Sequence, residues 1–411
     1  MSNEPPRLLV LYIPSLDRRR MDPDVTPYLS SLFSRRRVIE LETVPTVEML
    51  PTILTGQWPH EHKFWQVKLR PRRPRTWLQR AVDALPPRAV TAAQCVVHRF
   101  RPSFDLPTIE PRRRREFITY RVKQVRLAGS DVSTFDFLGA PTVFSALGGK
   151  GRYQILRTMK LGDQVLEAVS KDSYSLEILD LYALDILCHW NLDRPEVVRE
   201  GYRRTDELVR RAHELAQQQK MRTILLVDHG QELVREYIDV PALLAESGVP
   251  EEEYCYYLEV VSARFWFFTP RAREAICRVL STAKGADLLT NDDMARYHVA
   301  FRDEDGWGDV YLIAKPGFAF FPHDFYHPLV NAYMARKAPE HAARRYNPRH
   351  RGTHGHLPTS PSEIGLLVSL DDDLEAVADK GMIIDAAPTM LSLLGQPIPP
   401  TMRGRPLFRA S

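Results

Sequence analysis

The feature that most constrains this 411-residue chain is a series of short, almost wholly apolar runs that alternate with helix-forming stretches. Apolar runs that end in polar residues predict strands buried on both faces, and helices between them predict a mostly parallel sheet. We therefore predict an α/β fold. The predicted strands are Leu8–Ile13, Leu176–Leu181, Thr223–Val227, Tyr311–Ala314 and Ile364–Leu370.

Two stretches predict helices. One runs from about Pro195 to Gln219, where Asp193 can cap the helix and the proline suits its first turn. The other, Ala386–Leu394, follows Asp385 and stops at Gly395. The chain as a whole is predicted to form a single catalytic α/β domain.

Two further stretches read as additions to this core. Residues 63–145 are rich in proline and arginine. Residues 233–307 lie between two motifs with metal-ligand residue types, and we predict a mostly helical cap subdomain there.

The composition is that of a globular protein that can bury a large core, with 44% hydrophobic and 26% charged residues. No apolar run reaches the length of a membrane span, and the first run is interpreted as a core strand rather than a signal peptide. The cysteines are scattered without a CxxC pair, which favours a reducing cytoplasm. They are Cys95, Cys188, Cys255 and Cys277.

Positive charge is concentrated in the first third of the chain. Residues 1–125 hold 23 Lys and Arg against 12 Asp and Glu, which gives this segment a net charge of +11. The net charge of the whole chain is +4. The arginine runs fall in proline-rich connections without aromatic interleaving, so we interpret them first as solvated loops. Steering of an anionic substrate is the second interpretation. Nucleic-acid binding is the third, and we do not expect such a partner.

Two segments carry adjacent candidate metal ligands. Asp228 and His229 follow a predicted strand, at the edge where α/β sheets bind their ligands. Asp185 and His189 are four residues apart, so on a helix their side chains share one face and can hold one ion. Taken alone, each pattern is also compatible with an ordinary cap or ion pair.

Two more segments carry possible functional side chains. His354 lies between glycines in a polar loop, with His356 as an alternative ligand from the same turn. Thr46 follows Pro45 at a predicted helix start, where free backbone N–H groups favour an anion. A threonine hydroxyl becomes a useful nucleophile when a metal ion lowers its pKa, and it can then form a covalent phospho-enzyme. Taken alone, a threonine in this position is interpreted simply as a helix N-cap.

Together these motifs resemble the alkaline phosphatase superfamily, most closely its type I phosphodiesterase/nucleotide pyrophosphatase branch. The order matches: TPYLSSL behind the first strand, LTG-x-x-P-x-x-H, Asp-x-x-x-His, Asp-His-Gly and Thr-His-Gly. GDVYLIAKPGFAF and the closing IIDAAPTMLSLLGQPIPPTMRGRPL extend the resemblance over nearly the whole chain. It implies a three-layer α/β/α fold with a central mixed, mostly parallel sheet and a cap insertion.

The resemblance also implies two divalent ions, zinc by ligand type with manganese tolerated. The residues that would hold the outer ion are Asp185, His189 and His354. The residues that would hold the second ion, which activates the nucleophile, are Thr46, Asp228, His229 and an N-terminal aspartate. Two ions can clamp the attacking and leaving oxygens of an in-line displacement.

Two departures from the family pattern affect this assignment. The family places its first aspartate at the end of strand one and follows it with glycine, whereas the nearest aspartate here is Asp17. Aligned backwards from the TPYL segment, Tyr12 takes the ligand position instead. The family's phosphoryl-binding asparagine is also missing, and Gln66 is the nearest candidate. Glu48, close to the nucleophile, either disfavours a doubly charged phosphate, contacts a substrate amine or hydroxyl, or is an exposed helix residue.

The resulting hypothesis is a phosphoesterase that hydrolyses a phosphodiester or pyrophosphate bond in a small, anionic substrate, with nucleotide-linked compounds among the candidates. Trp65 lies just beyond the nucleophile segment and could stack on a base, although core packing is the alternative. The competing functions are a phosphomonoesterase or phosphonate hydrolase on the same site, or a non-catalytic or repurposed homologue. Oligomeric state is not predicted by the sequence.

Overall fold

The computed structural model describes residues 6–66, 68–70, 140–159, 174–302, 305–322 and 349–410, with short pieces of the stretches between them. Most of the predicted insertion at residues 63–145 lies outside the described residues. The chain divides into two compact units. The first comprises residues 1–65, 122–231 and 358–411, and the second comprises residues 66–121 and 232–357. A single catalytic domain with a cap stays a prediction.

The strands are numbered in chain order. They are β1 (Leu8–Tyr12), β2 (Val38–Glu42), β3 (Lys68–Leu69), β4 (Ile118–Thr119), β5 (Lys123–Arg126), β6 (Ser133–Asp136), β7 (Gly151–Ile155), β8 (Leu176–Asp180), β9 (Arg222–Val227), β10 (Glu232–Leu233), β11 (Glu236–Ile238), β12 (Tyr254–Leu258), β13 (Ser262–Phe267), β14 (Ala286–Thr290), β15 (Val310–Ala314), β16 (Phe318–Phe320), β17 (Gly352–Thr353), β18 (Gly365–Ser369), β19 (Leu374–Ala376), β20 (Lys380–Met382) and β21 (Phe408–Ala410). The α-helices are Pro27–Arg35, Leu50–Thr55, Pro59–His62, Val143–Ala146, Ala183–Asn191, Pro195–Gln218, Val240–Glu246, Pro270–Leu280, Asn291–Ala295 and Ala386–Leu393.

The first unit is built on a seven-stranded sheet in the order β20-β2-β18-β9-β1-β8-β7. Strands β7, β8, β1 and β9 are parallel neighbours, and β18 runs antiparallel to β9 and β2. Every residue of β1, β8 and β18 is buried, as the continuous apolar runs predicted. The prediction of a mixed, mostly parallel sheet in an α/β fold is confirmed.

The long helix of the first unit is Pro195–Gln218, within one residue of its predicted bounds. Its buried face includes Val198, Leu208 and Val209, which follow the helical period. The predicted cap by Asp193 is wrong. The capping position falls on Arg194, whose side chain makes no capping hydrogen bond.

The second unit contains a four-stranded antiparallel sheet in the order β12-β13-β15-β14. Helices Val240–Glu246 and Pro270–Leu280 precede and follow its first two strands. The prediction that residues 233–307 are mostly helical is therefore wrong. The runs YCYYL and SARFWF are aromatic-rich, and such residues pack well on a pleated surface.

Among the helices of the described residues, none combines the length and apolarity needed to cross a membrane.

Candidate active site

Polar side chains gather where the parallel strands of the first unit end. Tyr12 closes β1, Asp180 closes β8, and Asp228 and His229 directly follow β9. In the parallel register Tyr12 stands beside Asp180 on one side of β1. Because the carboxyl ends of parallel strands meet at one edge, these groups share the edge at which α/β sheets bind ligands.

Asp185 and His189 share one face of the helix Ala183–Asn191, and His189 Nε2 lies 3.4 Å from Asp185 Oδ2. The other carboxylate oxygen, Oδ1, accepts hydrogen bonds from Ser15 Oγ at 2.6 Å and from Gln231 Nε2 at 2.8 Å. These two donors fix the carboxylate so that Oδ2 turns towards His189. Two ligand atoms bound to one tetrahedral zinc ion lie about 3.3 Å apart, so this pair has the spacing of a shared ion.

His229 adds a second imidazole to the same edge. A ligand atom of His229 lies within 4.8 Å of one of Asp185. Its Nδ1 contacts the carbonyl of Gly230 at 2.9 Å, and its Nε2 lies 3.3 Å from Asp228 Oδ2. Burial by itself lowers the pKa of His229, but Asp228, and to a smaller extent Asp185 and Glu363, raise it to about 9.

The nitrogen and oxygen donors of the first unit thus fit a divalent ion. Carboxylate and imidazole groups with no thiolate suit zinc or manganese. The resemblance assigned Asp185 and His229 to different ions, whereas their ligand atoms fall in one group of possible metal ligands.

The second unit supplies the remaining histidine candidates. His354 is buried. His356 has both ring nitrogens engaged, since Nδ1 contacts the carbonyl of Ala314 at 2.7 Å and Nε2 contacts Thr353 Oγ1 at 3.3 Å. These contacts favour His354 over His356 as a ligand.

Thr46 lies in the loop between β2 and the helix Leu50–Thr55. The prediction that it starts a helix is wrong, because the capping position is Met49. Its buried hydroxyl donates to the carbonyl of Trp65 at 2.6 Å and accepts from the backbone N–H of Glu48 at 3.0 Å. The hydroxyl is therefore held in one orientation by the backbone on both sides.

Trp65 braces this loop. Its indole N–H donates to the carbonyl of Pro45 at 2.8 Å, and the side chain is buried. These contacts match the predicted packing alternative. Glu48 is half-buried and precedes the helix, so the interpretation as an exposed helix residue is wrong. Its charge helps raise the pKa of Tyr153 and Tyr182, after the larger effect of burial.

Gln66 begins the second unit. Its side chain is fully buried, and neither amide atom has a hydrogen-bond partner among the described residues. Such a group is costly unless something satisfies it.

Asp17 lies beside the Asp-His-Gly turn, but it is paired with arginine. A Cβ on Gly230 would come within 2.7 Å of Asp17 Oδ2. The carboxylate accepts from Arg19 Nε at 3.0 Å and from a terminal nitrogen of Arg19 at 2.7 Å. Tyr202 ties this loop to the long helix, since its hydroxyl accepts from the Asp17 N–H and donates to the Ser15 carbonyl, each at 3.0 Å.

Tyr12 contacts the candidate ligand Asp228. Its hydroxyl donates to Asp228 Oδ2 at 2.5 Å. Burial, together with Asp228 and Asp180, raises the pKa of Tyr12 well above its usual range, so the phenol is protonated at neutral pH. Ser15 has a left-handed φ of 68°, the conformation that glycine adopts most readily.

Sequence reasoning missed Ser15 and Gln231, which position Asp185, and the pair formed by Tyr153 and Asp180. Gln231 follows the Asp-His-Gly turn directly, so extending that motif by one residue would have included it. The tyrosine pair had no local signal, because its members come from different strands.

The first unit is thus an α/β fold whose seven-stranded mixed sheet has paired aspartate and histidine side chains at its carboxyl edge. No family model and no curated protein matches the chain. Solved structures of ectonucleotide pyrophosphatase/phosphodiesterase 5 do match. The murine protein, as an inactive variant in complex with AMP, is 10% identical with a TM-score of 0.64 over 97% of this chain and 96% of that chain.

A second murine structure is 12% identical, with a TM-score of 0.60 over 96% of each chain. The human protein is 11% identical, with a TM-score of 0.61 over 96% of each chain. At these identities the likeness shows the fold, and it confirms the fold that the resemblance implied.

Proposed function

We propose that this chain is a divalent-metal-dependent phosphoesterase that hydrolyses a phosphodiester or pyrophosphate bond through Thr46. The observation that carries the proposal is the fixed pair of Asp185 Oδ2 and His189 Nε2, 3.4 Å apart beside the carboxyl edge of the sheet. The fold is shared with structures named pyrophosphatase/phosphodiesterase, one of which contains AMP. A small, nucleotide-linked phosphate is therefore the proposed substrate.

The proposed reaction has two displacements. The Thr46 oxygen forms a bond to phosphorus while the bond from phosphorus to the leaving oxygen breaks, and the hydroxyl proton ends on the departing group. Water then attacks the phospho-threonine, and the Thr46 oxygen regains a proton. The sum is ester plus water giving a phosphate product and an alcohol or second phosphate. A bound divalent ion would supply charge neutralisation to the transferring phosphoryl group.

We propose that Asp185, His189 and His354 hold an ion, zinc or manganese. The second position, implied for Thr46, Asp228, His229 and Asp17, is less well formed. Two of its oxygen donors already have protein partners, Asp228 with Tyr12 and Asp17 with Arg19.

Three side chains are proposed to meet the substrate or shape its site. Gln66 has the unsatisfied buried amide expected of a group whose partner is a phosphoryl oxygen. Trp65 fixes the loop of Thr46 rather than presenting a face for stacking. Glu48, half-buried beside Thr46, disfavours a doubly charged phosphate by like-charge repulsion.

A cytoplasmic location is part of the proposal. In the described part of the chain, Cys188 and Cys277 are free thiols, and Cys188 is buried. Unpaired cysteines fit a reducing compartment.

A repurposed homologue that binds a phosphate compound without turnover is the second candidate. The observation that favours it is the pairing of Asp17 with Arg19, which withdraws the expected N-terminal ligand from an ion.

The test uses Thr46→Ala with hydrolysis of bis-p-nitrophenyl phosphate and p-nitrophenyl phosphate as the readout. Thr55→Ala is the matched control, because buried Thr55 also donates to a carbonyl, that of Pro51, and accepts from the N–H two residues later, that of Gln57. We expect Thr46→Ala to abolish turnover with metal content intact. Thr55→Ala should lose stability to a similar degree and keep turnover.

Full activity in Thr46→Ala would remove Thr46 as the nucleophile. Absence of turnover in the unmodified chain after zinc or manganese is added would favour the repurposed homologue.

A further inference from the structure

The phenol of Tyr12 engages the carboxylate that a second ion would need. Tyr12 ends β1 and stands beside Leu226 of β9 in the parallel register. Its hydroxyl donates to Oδ2 of Asp228, which lies two residues beyond Leu226. The other oxygen, Oδ1, accepts the backbone N–H of His229 at 3.0 Å. Both carboxylate oxygens of Asp228 thus have donors from the protein.

The same tyrosine–aspartate arrangement occurs a second time in the sheet. Tyr153 of β7 stands beside Ile178 of β8, and its hydroxyl donates to Asp180, two residues beyond Ile178. The offset is the one that relates Tyr12 to Asp228. Within the described part of the chain, Asp180 belongs to no group of possible metal ligands. A tyrosine–aspartate pair in this register therefore also occurs where the described residues offer no group of possible metal ligands.

The Asp17 carboxylate is bound by arginine side chains rather than by a tyrosine. Its two oxygens accept from Arg19, with contacts of 3.0 and 2.7 Å, and Arg20 Nε lies 3.9 Å from Oδ2. The Asp17 side chain is only 4% exposed, which strengthens its attraction to the guanidinium groups. A paired arginine and carboxylate make a strong charge-assisted contact, and an ion would have to displace it.

We propose that the chain holds one resident divalent ion rather than two, with the Tyr12 hydroxyl and the Arg19 guanidinium taking the second position. This rests on the proposed phosphoesterase function and refines it. This revises the ligand set proposed above: the single ion lies at Asp185, and His229 joins His189 as a ligand. Their ligand atoms lie within 4.8 Å and at 3.4 Å of Asp185 respectively.

The substrate class follows from the balance of charge at the site when only one ion is bound. One ion neutralises less charge than two, and half-buried Glu48 adds a negative charge beside Thr46. A phosphomonoester carries close to two negative charges at neutral pH, whereas a phosphodiester carries one. The site is therefore suited to diesters, and the ratio of diester to monoester turnover should be well above one.

The experiment counts ions in the full-length protein. Metal-free chain is dialysed against excess zinc, and in a second series manganese, and bound metal is measured by mass spectrometry of the native protein. We expect one ion per chain in the unmodified protein and two in the Tyr12→Asp/Arg19→Ala variant, in which Asp228 and Asp17 no longer accept from the Tyr12 hydroxyl and the Arg19 side chain. Tyr153→Phe, which removes the hydroxyl from the equivalent pair at Asp180, is the matched control and should bind one.

Single substitutions also distinguish one bound ion from two, without the double variant. With one shared ion, Asp17→Asn leaves the count at one, and His229→Ala weakens binding of that ion at least tenfold. With two ions, Asp17→Asn loses an ion, and His229→Ala keeps one tightly bound.

Two ions in the unmodified protein would overturn the inference, as would a double variant that folds and still binds one. A tyrosinate absorbance difference on adding zinc, present in the unmodified chain and absent in Tyr12→Phe, would also overturn it, because Tyr12 would then be a ligand. Two ions with turnover that depends on Thr46 would leave the proposed function standing. One ion with no turnover would instead overturn the function.

Discussion

Replacing Gln231 by leucine should weaken metal binding although Gln231 contacts no ion itself. Its amide N–H₂ donates to Asp185 Oδ1 at 2.8 Å and to the Asp185 carbonyl at 3.2 Å. A hydrogen bond to a charged group contributes about 1.5–3 kcal/mol. Since each 1.4 kcal/mol corresponds to about tenfold in affinity, the expected loss is roughly 10- to 100-fold. Ser15 retains its own bond to Oδ1, which favours the lower end of that range.

The assay is a competition titration of the metal-free full-length chain against a zinc chelator. Gln217→Leu is the matched control, because Gln217 is exposed on the long helix and the side-chain change is identical. Unchanged affinity in Gln231→Leu, or an equal loss in Gln217→Leu, would refute the idea that the orientation of Asp185 controls binding.

Three further substitutions test the packing around the site. Burial lowers the pKa of His62 from 6.5 to about 3. Below pH 6.5 the unfolded chain therefore binds a proton at this histidine that the folded chain does not. As the pH decreases from 6.5 towards 3, the free energy of unfolding should fall by up to about 1.4 kcal/mol per pH unit. In urea titrations His62→Asn should show a shallower fall, and an unchanged slope would contradict the burial argument. Arg152→Met should lower the free energy of unfolding by about 3–5 kcal/mol, because it leaves buried Glu177 without its 2.5 Å partner. Adding Glu177→Gln should recover much of the lost stability. Equal stability of Arg152→Met and the unmodified chain would refute the prediction. Gly230→Ala should cost about 1–3 kcal/mol, since its Cβ would meet Asp17 at 2.7 Å, and a thermal melt without any shift would show that Asp17 moves freely.

The sheet was largely predictable because its strands carry their own signal. Leu8–Tyr12 and Arg222–Val227 are apolar runs followed by polar residues, and that pattern alone placed both strands within one residue. The long helix was equally clear from its period. The strands of the second unit were missed, since aromatic runs such as YCYYL do not alternate in a simple way between buried and exposed positions.

The candidate site was predictable in its residue types and less so in their contacts. Asp185 and His189 share a helix face because of a local spacing that the sequence shows directly. The partners of Asp17 and Asp228 depend on how separate strands and loops meet, and no spacing in the chain reveals the hydrogen bond from Tyr12. Thr46 was misplaced at a helix start because Pro45 is a common signal for one, whereas the helix begins at Leu50.

The contact of Tyr202 with the loop after β1 has a consequence for the cooperativity of unfolding. One hydroxyl, on a helix of 24 residues, holds both the Ser15 carbonyl and the Asp17 N–H. The loop therefore belongs to the same cooperative unit as the helix, and its amides should exchange with solvent on the timescale of that helix rather than that of an ordinary surface loop. Local opening of the helix would then disorder the ligand-positioning Ser15 in the same event.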